Sequence, residues 1–271
     1  MRRHFFIKNF IQVSLPVIMA IVMIGIVAVY LTINESEKYV EGINQQTIER
    51  IQRNTELLFS EADAQSLNYS VSPSVMLRLE ELLNKGYNNQ ETRKITNILK
   101  TFIDSNVNSK EFLHSVYIYI DNPNGNFFSS MVGLANATNV SDTEWLDRLD
   151  AMPADKNQWV EPRTIVRYMG VTQYTTEVIS MYKWLYTSGR PGKIGILVLN
   201  VYRDYLEKMF EDNLSYPGQM ILLLDLNDKV LCTSGTEVTT DSMREGYLSE
   251  HYFEQRKANE ALGISYLSLI P

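Results

Sequence analysis

The residue types that most often carry catalysis or hold metals are few and widely separated in this sequence. The histidines are His4, His114 and His251, and the single cysteine is Cys232. No metal-ligand spacing connects them. The sequence also has no Gly-rich phosphate loop and no Gly-x-Ser-x-Gly elbow. We therefore expect no catalytic site and no cofactor in this segment, and we expect its chemistry to be non-covalent binding in a pocket.

Charge and cysteine content narrow the class of protein further. The net charge of −7 argues against a general nucleic-acid surface, so no nucleic-acid partner is predicted. Cys232 cannot form an internal disulfide, and its apolar neighbours Val230 and Leu231 indicate a small buried hydrophobe. At 45% hydrophobic residues over 271 positions, the chain can build a sufficient core without disulfides.

Residues 11–33 form an uncharged apolar stretch that is long enough to cross a bilayer as a helix. Arg2, Arg3 and Lys8 precede it, and positive charge on a short flank favours the cytoplasm. We therefore predict a cytoplasmic N-terminus over residues 1–10, a transmembrane anchor over 11–33, and an extracellular domain from residue 34. The alternative is a cleaved signal peptide, but no small-residue cleavage site follows the run.

A single long helix is predicted over residues 34–70, which contain no proline and one glycine. Seven residues step along it by three and four, as in a heptad seam. One interpretation is a stalk that forms a homodimer and carries a signal to the anchor. The other is a helix packed along its own domain. The seam consists of Ile48, Ile51, Thr55, Leu58, Ala62, Gln65 and Tyr69.

Two modules are predicted to follow the stalk, giving an α+β fold with antiparallel sheets. The first, residues 71–212, has a helix from Pro73 to Gly86, a helix from about Gln90 to Asn106, and about five strands. Its strands lie at 112–120, 127–131, 159–165, 175–185 and 193–199, with a short helix from Ser141 and a closing helix over 201–210. On the second helix, Ile95, Ile98, Leu99, Phe102 and Ile103 form the expected inner side.

The pattern restarts in residues 213–271. We predict strands at 220–226, 229–232 and 264–270 and a helix over 242–255. This second module is incomplete, so we expect the chain to be a fragment of a longer protein.

Three segments resemble one known family. The sequence VYIYIDNPNGNFFSS is similar to the first hairpin of an extracellular double Cache sensor domain. KIGILVLNVYRDYLEKMF resembles the last strand and linking helix of its membrane-distal module, and MILLLDLNDKVLCTSG resembles the opening hairpin of the membrane-proximal module. The resemblance implies two PAS-like modules hung on one helix that follows an N-terminal transmembrane helix.

The resemblance also implies a distal pocket walled by the region after the first hairpin. Trp159 and Pro162 match a Trp-x-x-Pro segment, whereas the Arg-x-Trp-Tyr signature of amino-acid sensors is absent at 142–146. A small polar extracellular ligand is the implied partner. Trp145 on an amphipathic helix also fits a core position, and strand arginines also fit an exposed edge. The implied ligand-binding residues are Trp145, Trp159, Arg163, Arg167, Tyr174 and Tyr182.

Four function classes fit this resemblance. They are the input half of a sensor histidine kinase, the input domain of an AraC-type transmembrane regulator, a chemoreceptor, and a surface binding module without signalling output. The histidine kinase is our first choice. In all four, we expect Trp159→Ala to abolish ligand binding. For the signalling classes, we expect Leu58→Asp to uncouple output without affecting the pocket.

Overall fold

The computed structural model describes residues 2–70, 73–86, 90–138, 140, 142–147, 158–169, 171–186, 192–225, 227–234, 253–260 and 262–270. The chain divides into two compact units, Met1–Gln46 and Thr47–Pro271. Helix α1, Arg2–Ser70, supplies residues to both units. Helices α2 and α3, a six-stranded sheet, helices α4 and α5 and a four-stranded sheet all belong to the second unit.

The first unit contains the apolar part of α1. Its large side chains from Leu15 to Ile33 are exposed. Exposure of so many apolar side chains is unfavourable in water and favourable in lipid. This helix therefore has the length and the composition needed to cross a membrane.

In the second unit, α1 packs into the core of its own chain. Ile48, Ile51, Thr55, Leu58 and Ala62 are all buried there. The buried Thr55 hydroxyl donates to the Ile51 carbonyl at 2.8 Å, which satisfies it within the helix. This is the second of the two alternatives for the seam, and these five residues are not available to a partner helix.

Helices α2, Pro73–Lys85, and α3, Gln90–Asn108, cover the same core. Gly86 ends α2 as predicted, with a φ of 64° that favours glycine. The inner face of α3 was predicted only in part: Leu99 and Ile103 are buried, but Ile98 and Phe102 are 48% and 39% exposed. Thr92 and Thr96 take the inner positions instead. The buried Thr96 hydroxyl is satisfied there, since it donates to the Thr92 carbonyl at 2.8 Å.

The first sheet has the order β3-β2-β1-β6-β5-β4, and all its pairs are antiparallel. One of its strands, β3, lies in a segment for which no strand was predicted, so the sheet has six strands instead of about five. The strands are β1 Leu113–Ile120, β2 Asn126–Ser129, β3 Gly133–Asn136, β4 Gln158–Met169, β5 Thr172–Tyr186 and β6 Lys193–Tyr202. Helix α4 covers Glu144–Asp147.

The β4–β5 hairpin is longer than the rest of the sheet. Strand β6 pairs with β5 from Val178 onward, so residues 172–177 of β5 pair only with β4. A register irregularity in β4 between Val160 and Arg163 accompanies this extension. Irregularities of this kind bend a strand and increase its twist. The outer half of the hairpin can therefore leave the plane of the sheet.

The two faces of the first sheet pack against different partners. On β1, Val116, Ile118 and Ile120 join the main core with the helices and the second sheet. Tyr117 and Tyr119 alternate with them and face a smaller cluster on the other side. The smaller cluster contains the candidate site.

Helix α5, Arg203–Glu211, connects to a second sheet of order β8-β7-β10-β9. The strands are β7 Met220–Asp225, β8 Val230–Thr233, β9 Phe253–Asn259 and β10 Ile264–Ile270. Most of the helix predicted over 242–255 lies outside the described residues, but its end is wrong because 253–255 belong to β9. Cys232 is buried, as predicted.

Candidate ligand-binding site

A cavity of about 320 Å³ lies on the face of the first sheet that carries Tyr117. Its walls come from β1, β2, the turn between β2 and β3, the segment after β3, and β4. Strands β2 and β4 are separated by three strands in the sheet order, so the projecting hairpin must curl back over the face to bring them together. The apolar lining is Phe127, Met131, Val132, Val140, Ile165 and Val166, and the polar groups come from Tyr117, Ser129, Asp142 and Arg167.

Strand β4 carries two arginines on one side, Arg163 and Arg167, and only the second of them lines the cavity. Arg163, Ile165 and Arg167 alternate along the strand, and residues two apart share a face. Arg167 lines the cavity and is exposed. Among the described residues it forms no hydrogen bond or ion pair. Its guanidinium group is therefore available to bind an anionic group of a ligand.

Arg163 is in the opposite situation, since it is only 4% exposed. Its Nη1 forms an ion pair with Asp142 Oδ1. Its Nε donates to Ser180 Oγ at 3.2 Å, and its Nη2 donates to Asn200 Oδ1 at 3.0 Å. A buried guanidinium is stable only when its donors and its charge are satisfied, and these contacts satisfy both.

The contacts of Arg163 belong to a row of polar side chains that crosses the sheet. Ser115 on β1, Asn200 on β6 and Ser180 on β5 lie opposite one another in register. Asn200 Nδ2 donates to Ser115 Oγ at 2.8 Å, and Ser180 Oγ donates to Asn200 Oδ1 at 2.7 Å. All three residues are buried. The row fixes the position of Arg163 and, through it, that of Asp142.

Asp142 joins this row to the cavity wall. Its Oδ2 accepts a hydrogen bond of 2.7 Å from the Tyr117 hydroxyl, while Oδ1 faces Arg163. Burial and the nearby charge of Asp142 raise the pKa of Tyr117, so the phenol stays protonated and continues to donate. Both oxygens of Asp142 are therefore engaged within the protein.

His114 adds no positive charge near neutral pH. Its Nδ1 lies 2.8 Å from Ser115 Oγ, and its ring meets that of Tyr202 edge-on at 5.1 Å. Burial, with the charges of Arg167 and Arg163, lowers the pKa of His114 to about 4.

A buried aromatic cluster packs against the lining residues Tyr117 and Phe127. Trp145 is fully buried, and its ring lies 5.0 Å from Phe127 and 5.7 Å from Tyr117. The indole Nε1 donates to the Asp142 carbonyl at 3.1 Å. Tyr182 is fully buried in the same cluster. Trp145 and Tyr182 therefore belong to the buried cluster that packs against the lining residues Tyr117 and Phe127.

Of the six residues implied by the resemblance, only Arg167 lines this cavity. Arg163 lies behind the wall, and Trp145 and Tyr182 lie in the underlying cluster. Tyr174 is exposed on β5 opposite Arg167. Trp159 belongs to the main core on the other face, where its ring stacks on Phe59 at 3.7 Å. The structure therefore gives no support to Trp159 as a residue of this cavity.

Sequence reasoning missed Tyr117, Phe127 and Asp142. Tyr117 and Phe127 were recognised only as residues of a hairpin, and strand alternation alone does not tell which face carries a cavity. Asp142 was considered only as part of segment 142–146, where the Arg-x-Trp-Tyr signature is absent. Its partner Arg163 is 21 residues away, and no short-range pattern connects the two.

Comparisons with known proteins point to one kind of fold. No family model and no curated protein matches this chain. The extracellular domain of the proposed histidine kinase vpHK1S-Z8 has a TM-score of 0.55 at 12% identity, over 85% of this chain and 95% of that one. The extracellular domain of the proposed histidine kinase soHK1S-Z6 gives 0.55 at 13%, over 89% and 96%.

A third similar structure is a domain of a proposed sensory box/GGDEF family protein from Vibrio parahaemolyticus. Its TM-score is 0.51 at 11% identity, over 84% of this chain and 96% of that one. The chain therefore has the fold of these three domains, which agrees with the fold that the Cache resemblance implied. None of the three is an AraC-type regulator, so that part of the resemblance has no support. At these identities the likeness establishes the fold, and the function has to be argued from the site.

Proposed function

We propose that this chain is the extracellular ligand-sensing region of a membrane-anchored signal-transduction receptor. The observation that carries this proposal is the cavity, where the exposed cation Arg167 stands beside a buried polar row. A cavity that is mostly apolar, with a few placed polar groups, is typical of small-molecule sites. Its volume of about 320 Å³ suits a small ligand.

The proposed ligand is a small polar molecule that carries an anionic group. Arg167 is the group that would bind it, because a guanidinium forms strong charge-assisted hydrogen bonds with carboxylates. The apolar walls would cover the remainder of the molecule. Asp142, Arg163 and Tyr117 would hold the wall in place.

The output that we propose is a histidine kinase. Two of the similar structures described above are extracellular domains of proposed histidine kinases. The apolar part of α1 would anchor the receptor, and the residues that precede it would face the cytoplasm because Arg2, Arg3 and Lys8 are positively charged.

A ligand screen with one variant tests the proposed site. The 271-residue chain in lipid nanodiscs would be screened by thermal shift and calorimetry with small carboxylates, sugars and amino acids. Arg167→Gln should weaken binding of the best ligand about tenfold or more, since a hydrogen bond to a charged group contributes about 1.5–3 kcal/mol.

Arg93→Gln is the matched control, because Arg93 is exposed on α3 and the change removes the same charge. It should leave affinity unchanged. A ligand that binds wild type and Arg167→Gln equally would place the site elsewhere and overturn this proposal.

A further inference from the structure

The described charged groups that line the cavity favour an anionic ligand over a zwitterionic one. Among the described residues, the lining contains one cation, Arg167, and one carboxylate, Asp142. Arg167 forms no ion pair with the described residues. Asp142 is paired with Arg163, which is buried behind it. Within the described residues, the cavity therefore offers a ligand one open positive group and no open negative group.

Asp142 cannot readily be released to bind a ligand cation. Its two oxygens are held by Arg163 and Tyr117, and Arg163 is held by Ser180 and Asn200 in the buried row. Removing Asp142 from Arg163 would leave a guanidinium that is 4% exposed without its counter-ion. Breaking a buried pair in this way is strongly unfavourable.

Within the described residues, the remaining walls carry no anionic group that could pair with a ligand ammonium group. They are hydrocarbon, aromatic rings and thioether, with one hydroxyl from Ser129 that already accepts from the Met131 backbone N–H at 3.2 Å. An ammonium group that loses its water without gaining a charged partner costs several kcal/mol. The same walls favour an apolar body at about 25 cal/mol for each Å² buried.

We propose that the cavity selects small monocarboxylates with an apolar body and rejects the zwitterionic amino acids of the same shape. Arg167 binds the carboxylate, and the apolar walls cover the body of the ligand. Asp142 is already paired with Arg163, so it gives the ammonium group of an amino acid no partner. This selectivity rests on the proposed function, since it concerns the same site.

Matched pairs of compounds test the inference. The full chain in nanodiscs would be titrated by calorimetry with 4-methylpentanoate against leucine, and with 3-phenylpropanoate against phenylalanine. Each pair differs only by the α-amino group. We expect at least one monocarboxylate to bind about tenfold or more tightly than its amino acid. Arg167→Gln should weaken that binding about tenfold or more, and Arg93→Gln should leave it unchanged.

The failures of the two proposals are distinguishable. Equal or tighter binding of the amino acids, with dependence on Arg167, would overturn the selectivity and leave the proposed site intact. Failure of every monocarboxylate, with Arg167-dependent binding of a sugar or amino acid, would overturn the selectivity in the same way. Binding of a monocarboxylate that is unaffected by Arg167→Gln would overturn both proposals.

Discussion

Two arginines four positions apart on one strand have different roles, and their surroundings explain why. Arg163 lies where β4 still borders the body of the sheet, so its guanidinium reaches β5 and β6 and is buried. Arg167 lies on the part of the hairpin that projects beyond β6, where it borders the cavity and solvent. Residue type alone therefore predicts a binding arginine but not which of the two is open.

The first residue-scale prediction concerns the buried pair. Arg163→Met should destabilise the protein by about 3–5 kcal/mol, because it leaves Asp142 as an uncompensated charge in a largely buried site. Adding Asp142→Asn should recover part of that loss, since an amide needs no counter-ion. Urea unfolding of the two variants would measure this. A double variant no more stable than Arg163→Met would show that Asp142 is not held by Arg163.

The second residue-scale prediction concerns pH. His114 has a pKa of about 4 in the folded protein, whereas an exposed histidine titrates near 6.5. The unfolded state therefore binds more protons between these values, and stability should fall as the pH drops from about 6.5 to 4. His114→Asn should reduce the slope of stability against pH in that window. An unchanged slope would mean that carboxylates alone cause it.

At the scale of elements, α1 links the two sheets. Its Thr47 hydroxyl donates to Ser215 Oγ at 2.9 Å beside the second sheet, and Asp63 pairs with Lys183 of β5 at 2.5 Å. The expected uncoupling by Leu58→Asp does not suit this packing. Leu58 is 7% exposed in the shared core, so an aspartate there would bury a charge and destabilise the fold.

The element-scale prediction separates stability from binding. Trp159→Ala should destabilise the fold by about 3–5 kcal/mol, because the indole is buried and stacks on Phe59 of α1 at 3.7 Å. Its effect on ligand affinity at temperatures where the variant is folded should be small, since Trp159 lies on the face opposite the cavity. Thermal unfolding and calorimetry would measure both. Loss of binding without loss of stability would contradict this placement.

At the scale of the whole molecule, the prediction concerns the proposed anchor and its orientation. If Arg2, Arg3 and Lys8 face the cytoplasm, as we propose, the chain after Ile33 should be degraded by a protease added to intact cells. Reversal of the flanking charges should reduce that accessibility. A sensing region protected in intact cells but cleaved after detergent lysis would contradict the proposed orientation.

The elements of this protein follow from local patterns. The apolar length of residues 11–33, the proline that starts α2, the glycine that ends it and the alternation in β1 all act within a few residues. The sequence accordingly predicted the long helix, the α+β class and most strands. It missed β9, whose first residues were predicted as the end of a helix. It also missed β3, because a short strand rich in small residues has little propensity of its own and forms by pairing with β2.

The site was decided by tertiary structure. Whether Trp159 or Arg167 borders the cavity depends on which face of the sheet packs against the helices. It also depends on the register of β4 against β5, which shifts between Val160 and Arg163. The same register places Arg163 against Ser180, Asn200 and the distant Asp142. Long-range contacts of this kind leave no local sequence pattern. The chain by itself therefore determined its helices, most of its strands and its apolar N-terminal segment, and only the packing of sheet, hairpin and α1 determined where a ligand could bind.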